Sequence, residues 1–269
     1  VNRRRTSYPT VIGVCVLAVA LLAGCSAEAP AEGATPAQNL HTEIVRELPH
    51  DPAAFTQGLE ISGGTLYEST GLTGQSWVRA TEFSSGVEQA RADLPREMFG
   101  EGITVAGETV WQLTWKHGVA FARDRDTLTE QRQVRYDGEG WGLCAQPDRL
   151  VMSNGSDTLT FRDPATFAPT GSVDVTLDGH PLDQLNELEC GSDGFVYANV
   201  WTTDTIARID PATGTVTGQI DAANLRAALP GSLSDPNAVL NGIAQIPGTD
   251  RFLLTGKNWP RMFEVRFTG

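Results

Sequence analysis

Glu101 is the side chain in this sequence best placed for acid–base chemistry. It stands in Phe99-Gly-Glu-Gly-Ile, and four other segments carry a related string: Phe55-Thr-Gln-Gly-Leu, Glu139-Gly-Trp-Gly-Leu, Asn186-Glu-Leu-Glu and Leu240-Asn-Gly-Ile. Aligned on Gly58, Gly102, Gly142, Leu188 and Gly242, the preceding residues fall into one register: Gln57, Glu101, Trp141, Glu187 and Asn241. That set is polar and aromatic rather than apolar. Polar groups gathered in a narrow interior must be hydrogen-bonded or functional. A water-filled channel of satisfied groups is the plain alternative. Trp115, Trp141, Trp201 and Trp259 follow at comparable points of different segments, which predicts an aromatic-walled pocket. Lys257, in Thr255-Gly-Lys-Asn-Trp-Pro, occupies the same stage of the last segment. A carboxylate and an ammonium among indoles suit proton transfer beside a developing oxyanion.

Such residues need a scaffold that brings distant segments to one place. Each string is followed by a turn and a second apolar strand: Thr65-Leu-Tyr-Glu, Thr109-Val-Trp-Gln-Leu, Arg149-Leu-Val-Met, Phe195-Val-Tyr-Ala and Arg251-Phe-Leu-Leu. A third strand comes next, at Ser76, Gly118, Thr158, Thr205 and Arg261. Weaker fourth strands can be read at Gly171-Ser-Val-Asp-Val and Thr215-Val-Thr-Gly-Gln-Ile, after Asp-Pro-Ala-Thr turns. Short alternating strands between Gly, Asp and Pro turns are β-meanders. Repeats of this size, built from four strands, are propeller blades. The expected fold is all-β, a five-bladed β-propeller over residues 40–269. The last repeat ends after its third strand, so His41–Leu48 is expected to supply its outer strand and close the ring. Asp221–Leu229 reads as a short surface helix. First strands of propeller blades line the central channel, which puts Glu101 at its mouth.

Other chemistries find less support. The histidines are His41, His50, His117 and His180, in unrelated parts of the repeats, and they make no zinc motif. No Gly-x-Ser-x-Gly elbow recommends a serine hydrolase. The oxygens of Gln57, Glu101, Glu187 and Asn241 fit a structural calcium in the channel. That possibility keeps open a metal-dependent, lactonase-like propeller. A binding propeller without catalysis is the other alternative, because a fold does not fix a function.

Eight motifs together carry a resemblance: Phe55-Thr-Gln-Gly-Leu, Tyr67-Glu-Ser-Thr-Gly, Phe99-Gly-Glu-Gly-Ile, Gly140-Trp-Gly-Leu, Leu185-Asn-Glu-Leu-Glu, Ala198-Asn-Val-Trp, Val239-Leu-Asn-Gly-Ile and Thr255-Gly-Lys-Asn-Trp-Pro. In this order and spacing the chain resembles the plant-type (papaya-like) glutamine cyclotransferases from about His50 to Phe267. The resemblance implies a five-bladed propeller that cyclises N-terminal glutamine to pyroglutamate and releases ammonia. It implies peptide or protein partners with N-terminal glutamine, and no cofactor. Carried over by position, it places Phe55, Gln57, Phe99, Trp115, Trp141, Asn186 and Trp201 around the substrate, with Glu101 and Lys257 as catalytic groups. Glu101 is expected to shuttle the proton, its pKa raised by apolar walls. Lys257 is expected to face the oxyanion, with Gln57 and Asn186 as donors.

The N-terminus carries address information. Arg3, Arg4 and Arg5 precede an apolar run from Val11 to Leu22, too short for a membrane span. The run ends Leu22-Ala23-Gly24-Cys25, which resembles a bacterial lipobox. Residues 1–24 are therefore expected to be a signal peptide, Cys25 a lipidated residue, and 25–39 a disordered tether rich in Ala, Pro, Glu and Gly. The expected location is extracytoplasmic, with the membrane touched only through the lipid. The whole sequence carries a net charge of −13, and removing residues 1–24 removes three arginines and no acid. An acidic chain lacks the basic footprint of nucleic-acid binding. Cys144 and Cys190 remain for an oxidising compartment, and the sequence leaves their pairing open; paired, they would staple blades three and four.

Overall fold

Alternating apolar residues and Asx-type turns make hairpins throughout residues 56–268. The computed structural model describes residues 36–231, 233 and 235–269, together with 1, 2 and 6. The expected signal peptide, the lipidated Cys25 and most of the tether therefore lie outside the described residues. Thr35–Gly269 forms one compact unit. Its first strand, β1 (Gln38–Pro49), begins inside the segment expected to be tether.

The first sheet is β2 (Thr56–Ser62), β3 (Thr65–Thr70), β4 (Trp77–Glu82) and β5 (Glu88–Asp93), paired in that order. The second is β6 (Gly100–Ala106), β7 (Thr109–Thr114), β8 (Val119–Asp124) and β9 (Glu130–Arg135). The third is β10 (Leu143–Ala145), β11 (Leu150–Met152), β12 (Thr158–Arg162) and β13 (Pro169–Asp174). A small hairpin, β14 (Thr176–Leu177) and β15 (His180–Pro181), leads to β16 (Leu185–Cys190), β17 (Val196–Val200), β18 (Thr205–Ile209) and β19 (Val216–Asp221). Helix α1 (Ala223–Ala228) then precedes β20 (Leu240–Gln245), β21 (Arg251–Gly256) and β22 (Arg261–Thr268). β1 pairs antiparallel with β22 and parallel with β19, joining the last two meanders into an eight-stranded sheet. The N-terminal strand thus supplies the outer strand of the last meander, as its position in the sequence requires.

Turn chemistry follows the residues. Asp163 Oδ1 accepts from the backbone N–H of Ala165 and Thr166, at 3.0 and 2.7 Å, and Asp124 and Asp210 make equivalent turns. The outer strands β5 and β9 are mostly exposed and rich in Glu, Gln and Arg. Charged edges of this kind resist pairing with other chains.

The core lies between neighbouring sheets. Leu59, Ile103, Leu143, Leu188 and Ile243 occupy the same place in five first strands, each almost fully buried. Ile103 joins Tyr67 and Val78 of the first sheet, and Leu143 joins Trp111 and Ala120 of the second. Leu188 joins Val151 and Leu159, and Ile243 joins Ile206 and Ile220. Leu59 packs against Leu253 and Met262 of the last meander, so the series of interfaces returns to its start. The result is an all-β, propeller-like arrangement with first strands innermost.

This register corrects one alignment. Leu188 matches Leu59 and Ile103, so Glu187 stands where other first strands have glycine, and Asn186 matches Glu101. A β-bulge between Leu185 and Leu188 matches bulges between Gly100 and Ile103 and between Leu240 and Ile243. Glycine is needed at this point because first strands meet closely: a Cβ at Gly102 would lie 2.7 Å from the backbone N of Leu143. Glu187 instead sends its carboxylate to the backbone N–H groups of Leu59 and Ile243, at 3.1 and 2.8 Å. It therefore belongs to the packing between first strands. Cys144 and Cys190 are joined by a disulfide linking β10 to β16.

Candidate active site

A bulge in four of the five first strands turns one side chain toward the end of the channel. Gln57, Glu101 and Asn186 arrive this way, all nearly buried. Trp115 follows β7, Trp141 precedes β10, Trp201 follows β17, and Lys257 follows β21. Together with Phe55 and Phe99 they line one cavity of about 370 Å³, so all nine residues expected at the site share it. Leu72, Asp235, Asn237 and Asn258 complete the rim. A larger groove near Pro49 and Glu82 contains none of these residues.

The walls are aromatic and interlocked. Phe99 lies edge-on to Phe55 at 6.1 Å and tilted against Trp115 at 5.5 Å. Trp141 meets Trp201 edge-to-face at 5.5 Å. Trp201 is the most exposed of these rings, at 36%. Two glycines make room: a side chain at Gly71 would overlap the Phe99 ring, and a Cβ at Gly155 would lie 2.6 Å from Trp141. Trp259 departs from expectation. It is fully buried behind the cavity, its indole N–H donating to Ala238 O at 3.0 Å, because it fills the core beside Phe263.

Glu101 is held at one oxygen and open at the other. Asn241 Nδ2 donates to Gln57 Oε1 at 3.2 Å, and Gln57 Nε2 donates to Glu101 Oε1 at 2.9 Å. Among the described residues Glu101 Oε2 has no hydrogen-bond partner. Burial pushes the Glu101 pKa well above the usual carboxylate range; the charge of Lys257 opposes this and that of Glu139 adds to it. Lys257 is shifted the other way. Burial lowers its pKa to about 8, against the favourable charge of Glu101. Its Nζ sits 5.0 Å from the centre of the Phe55 ring. The pair makes no direct ion bridge among the described residues. Burial thus raises the acid and lowers the base toward each other, which suits proton exchange with a bound molecule.

Gln57 was expected as an oxyanion donor. One of its amide hydrogens is engaged by Glu101, so its first task is to orient that carboxyl. Glu187, from the expected polar ring, does not line the cavity. Among the described residues no group of three His, Cys, Asp or Glu side chains converges as a metal cage. Residues missed in the sequence include Leu72, Asp235, Asn237, Gly71 and Gly155. The glycine of Tyr67-Glu-Ser-Thr-Gly was a visible signal for Gly71; nothing local marked the rim residues.

A family model described as Glutamine cyclotransferase matches residues 16–267. A glutaminyl-peptide cyclotransferase of Arabidopsis thaliana is 38% identical over 226 residues, spanning 83% of this chain and 70% of that protein. The crystal structure of Myxococcus xanthus glutaminyl cyclase matches with a TM-score of 0.81 at 44% identity, covering 86% of this chain and 98% of that one. These similarities run through the strands that carry the cavity's acid, its lysine and its aromatic walls, and the chain belongs to the glutamine cyclotransferase family.

Proposed function

We propose that this protein is a glutaminyl-peptide cyclotransferase, acting on peptides or proteins with N-terminal glutamine through Glu101. The observation that carries the reading is the unpaired Glu101 Oε2 in an aromatic cavity beside Lys257. The substrate's α-amine attacks its own γ-carboxamide carbon. The new C–N bond closes a five-membered lactam, and the carbonyl electron pair moves to oxygen. Because nucleophile and electrophile belong to one molecule, the cavity has mainly to select the folded-back conformer. Glu101 Oε2 takes a proton from the attacking nitrogen and returns it to the departing amide nitrogen, which leaves as ammonia as its C–N bond breaks. Lys257 faces the transient oxyanion, assisted by Asn186. Trp115, Trp141 and Trp201 hold the glutaminyl carbons and keep out water, whose attack would yield glutamate instead.

In this reading the fold is a five-bladed propeller, with β1 closing the ring. The chemistry is metal-independent, since Glu101 and Lys257 supply both proton transfer and charge stabilisation. Residues 1–24 act as a signal peptide, and Cys25 carries the lipid that holds the enzyme outside the cytoplasm. One assay tests the core of the reading: ammonia release from a glutaminyl peptide, with and without exhaustive chelation. The wild type should turn over equally in both. Glu101→Gln should keep its circular dichroism spectrum and lose at least about 10²–10⁴-fold in rate. Near-normal turnover by that variant would remove Glu101 from the mechanism.

A further inference from the structure

Glu139 touches both tryptophans of the cavity wall that come from neighbouring sheets. Its Oε2 accepts the indole N–H of Trp115 at 2.7 Å and that of Trp141 at 3.0 Å. Trp115 follows the second sheet, and Trp141 opens the third. Lys116 braces the arrangement, with Nζ 3.5 Å from Glu139 Oε1 and 3.9 Å from the centre of the Trp115 ring. We propose that Glu139 is a positioning residue, a single carboxylate that fixes the orientation and spacing of the two indoles between which the glutaminyl side chain is received. The proposal rests on the cyclotransferase reading and extends it to a residue outside the cavity lining.

An indole N–H can only donate, and a partly buried one needs an acceptor. An ionised acceptor makes the bond roughly twice as strong as a neutral one. One oxygen shared by two donors also couples the rings, so that neither plane turns without the other. Burial works to raise the Glu139 pKa, but the bonds from Trp141 and Trp115 and the charge of Lys116 outweigh it and keep the group ionised. Removing the acceptor leaves both indole N–H groups unpaired, with Trp115 held only by packing on Phe99 and Lys116 and Trp141 by packing on Trp201. The loss falls on binding first, because the walls hold the ground state and the transition state alike.

The test compares wild type with Glu139→Ala, Glu139→Gln and Glu139→Asp, using a glutaminyl peptide and the indole N–H signals of a ¹⁵N-labelled sample. Gln keeps an acceptor at full reach without charge. Asp keeps the charge and loses the reach. KM should rise about ten- to a hundredfold in the Ala and Asp variants with kcat little changed. Gln should restore KM to near the wild-type value. Two indole signals should shift strongly in Ala and Asp and by less in Gln, where a weaker acceptor remains. An unchanged KM in Ala, equal impairment in Gln and Ala, or unmoved indole signals in Ala would each overturn the role of Glu139. A wild type that releases no ammonia would instead overturn the cyclotransferase reading, and the indole signals would still report on the clamp.

Discussion

At the scale of single residues, Glu101 and Lys257 are shifted toward each other by one cause. Both sit in a desolvated cavity, and burial disfavours each charge. Their mutual attraction opposes the shift without cancelling it. The consequence is a pH dependence with an assignable alkaline side. In the proposed mechanism Lys257 carries its proton to stabilise the oxyanion, so activity should fall as pH rises through about 8. On the acid side, activity should rise as Glu101 and the substrate amine lose their protons. Lys257→Met should lower kcat/KM by about 10²–10³-fold. Its residual activity should no longer decline near pH 8. A pH–rate profile of both proteins checks this, and a persisting alkaline fall would assign that limb to another group.

At the scale of elements, the bulged first strand is what aims the chemistry. An extra residue in the strand breaks its alternation and rotates one side chain out of the sheet toward the channel end. The glycine that follows allows the neighbouring first strand to come close enough for Gly102 N–H to donate to Trp141 O at 2.7 Å. Gly102→Ala would place a Cβ against rigid backbone of the next sheet, 2.7 Å from both Leu143 N and Trp141 O. Forcing these strands apart should cost about 1–3 kcal/mol. The same shift displaces Glu101 from Trp141, so kcat/KM should fall as well. Gly64→Ala, whose Cβ would meet nothing within 4 Å, is the matched control and should melt like wild type. Urea titration of the two variants measures the difference. Equal midpoints would show that the strands yield at no cost.

At the scale of the whole molecule, a buried charged network joins the first sheet to the last meander. His50 follows β1. Its Nε2 lies 2.9 Å from Glu68 Oε1, and its Nδ1 lies 2.6 Å from Trp259 O. Arg79 Nη2 donates to Glu68 Oε2 at 2.8 Å, and Thr56 Oγ1 donates to Glu68 Oε1 at 2.7 Å. These contacts tie the first sheet to the loop that carries Lys257. Burial works against the His50 charge, but Glu68 outweighs it and raises the pKa above 6.5. Burial likewise works against the Glu68 charge, and His50 and Arg79 outweigh it, lowering the pKa to about 2. The Glu68 contribution is complete above its ordinary value of 4.5 and is lost as pH falls toward about 2. The His50 contribution is complete below 6.5 and is lost as pH rises through the raised folded value. Both are fully present only between those limits. His50→Ala should therefore cost about 3–5 kcal/mol near pH 5.5. The cost should shrink at pH 9, as read from urea midpoints at the two values. A penalty independent of pH would mean that His50 acts by packing alone.

The sequence by itself determined the repeat, the order of strands within it, and the role of the N-terminal strand. These follow from local alternation and turn chemistry, which each short segment carries within itself. The family resemblance of its motifs pointed to nine residues that line the cavity, Asn186 among them, whereas the repeat alignment alone pointed to Glu187. Outer strands were faint for a physical reason: β5 and β9 are largely solvated, so their sequences read as polar surface. Only the tertiary structure decided which of Asn186 and Glu187 faces the cavity. That choice depends on where the bulge falls and on the neighbouring strands whose N–H groups Glu187 satisfies. Trp259 was assigned to core rather than pocket, Cys144 to Cys190, and Glu139 to two indoles, by contacts between sheets. Such contacts join residues that the chain separates widely, and no local pattern records them.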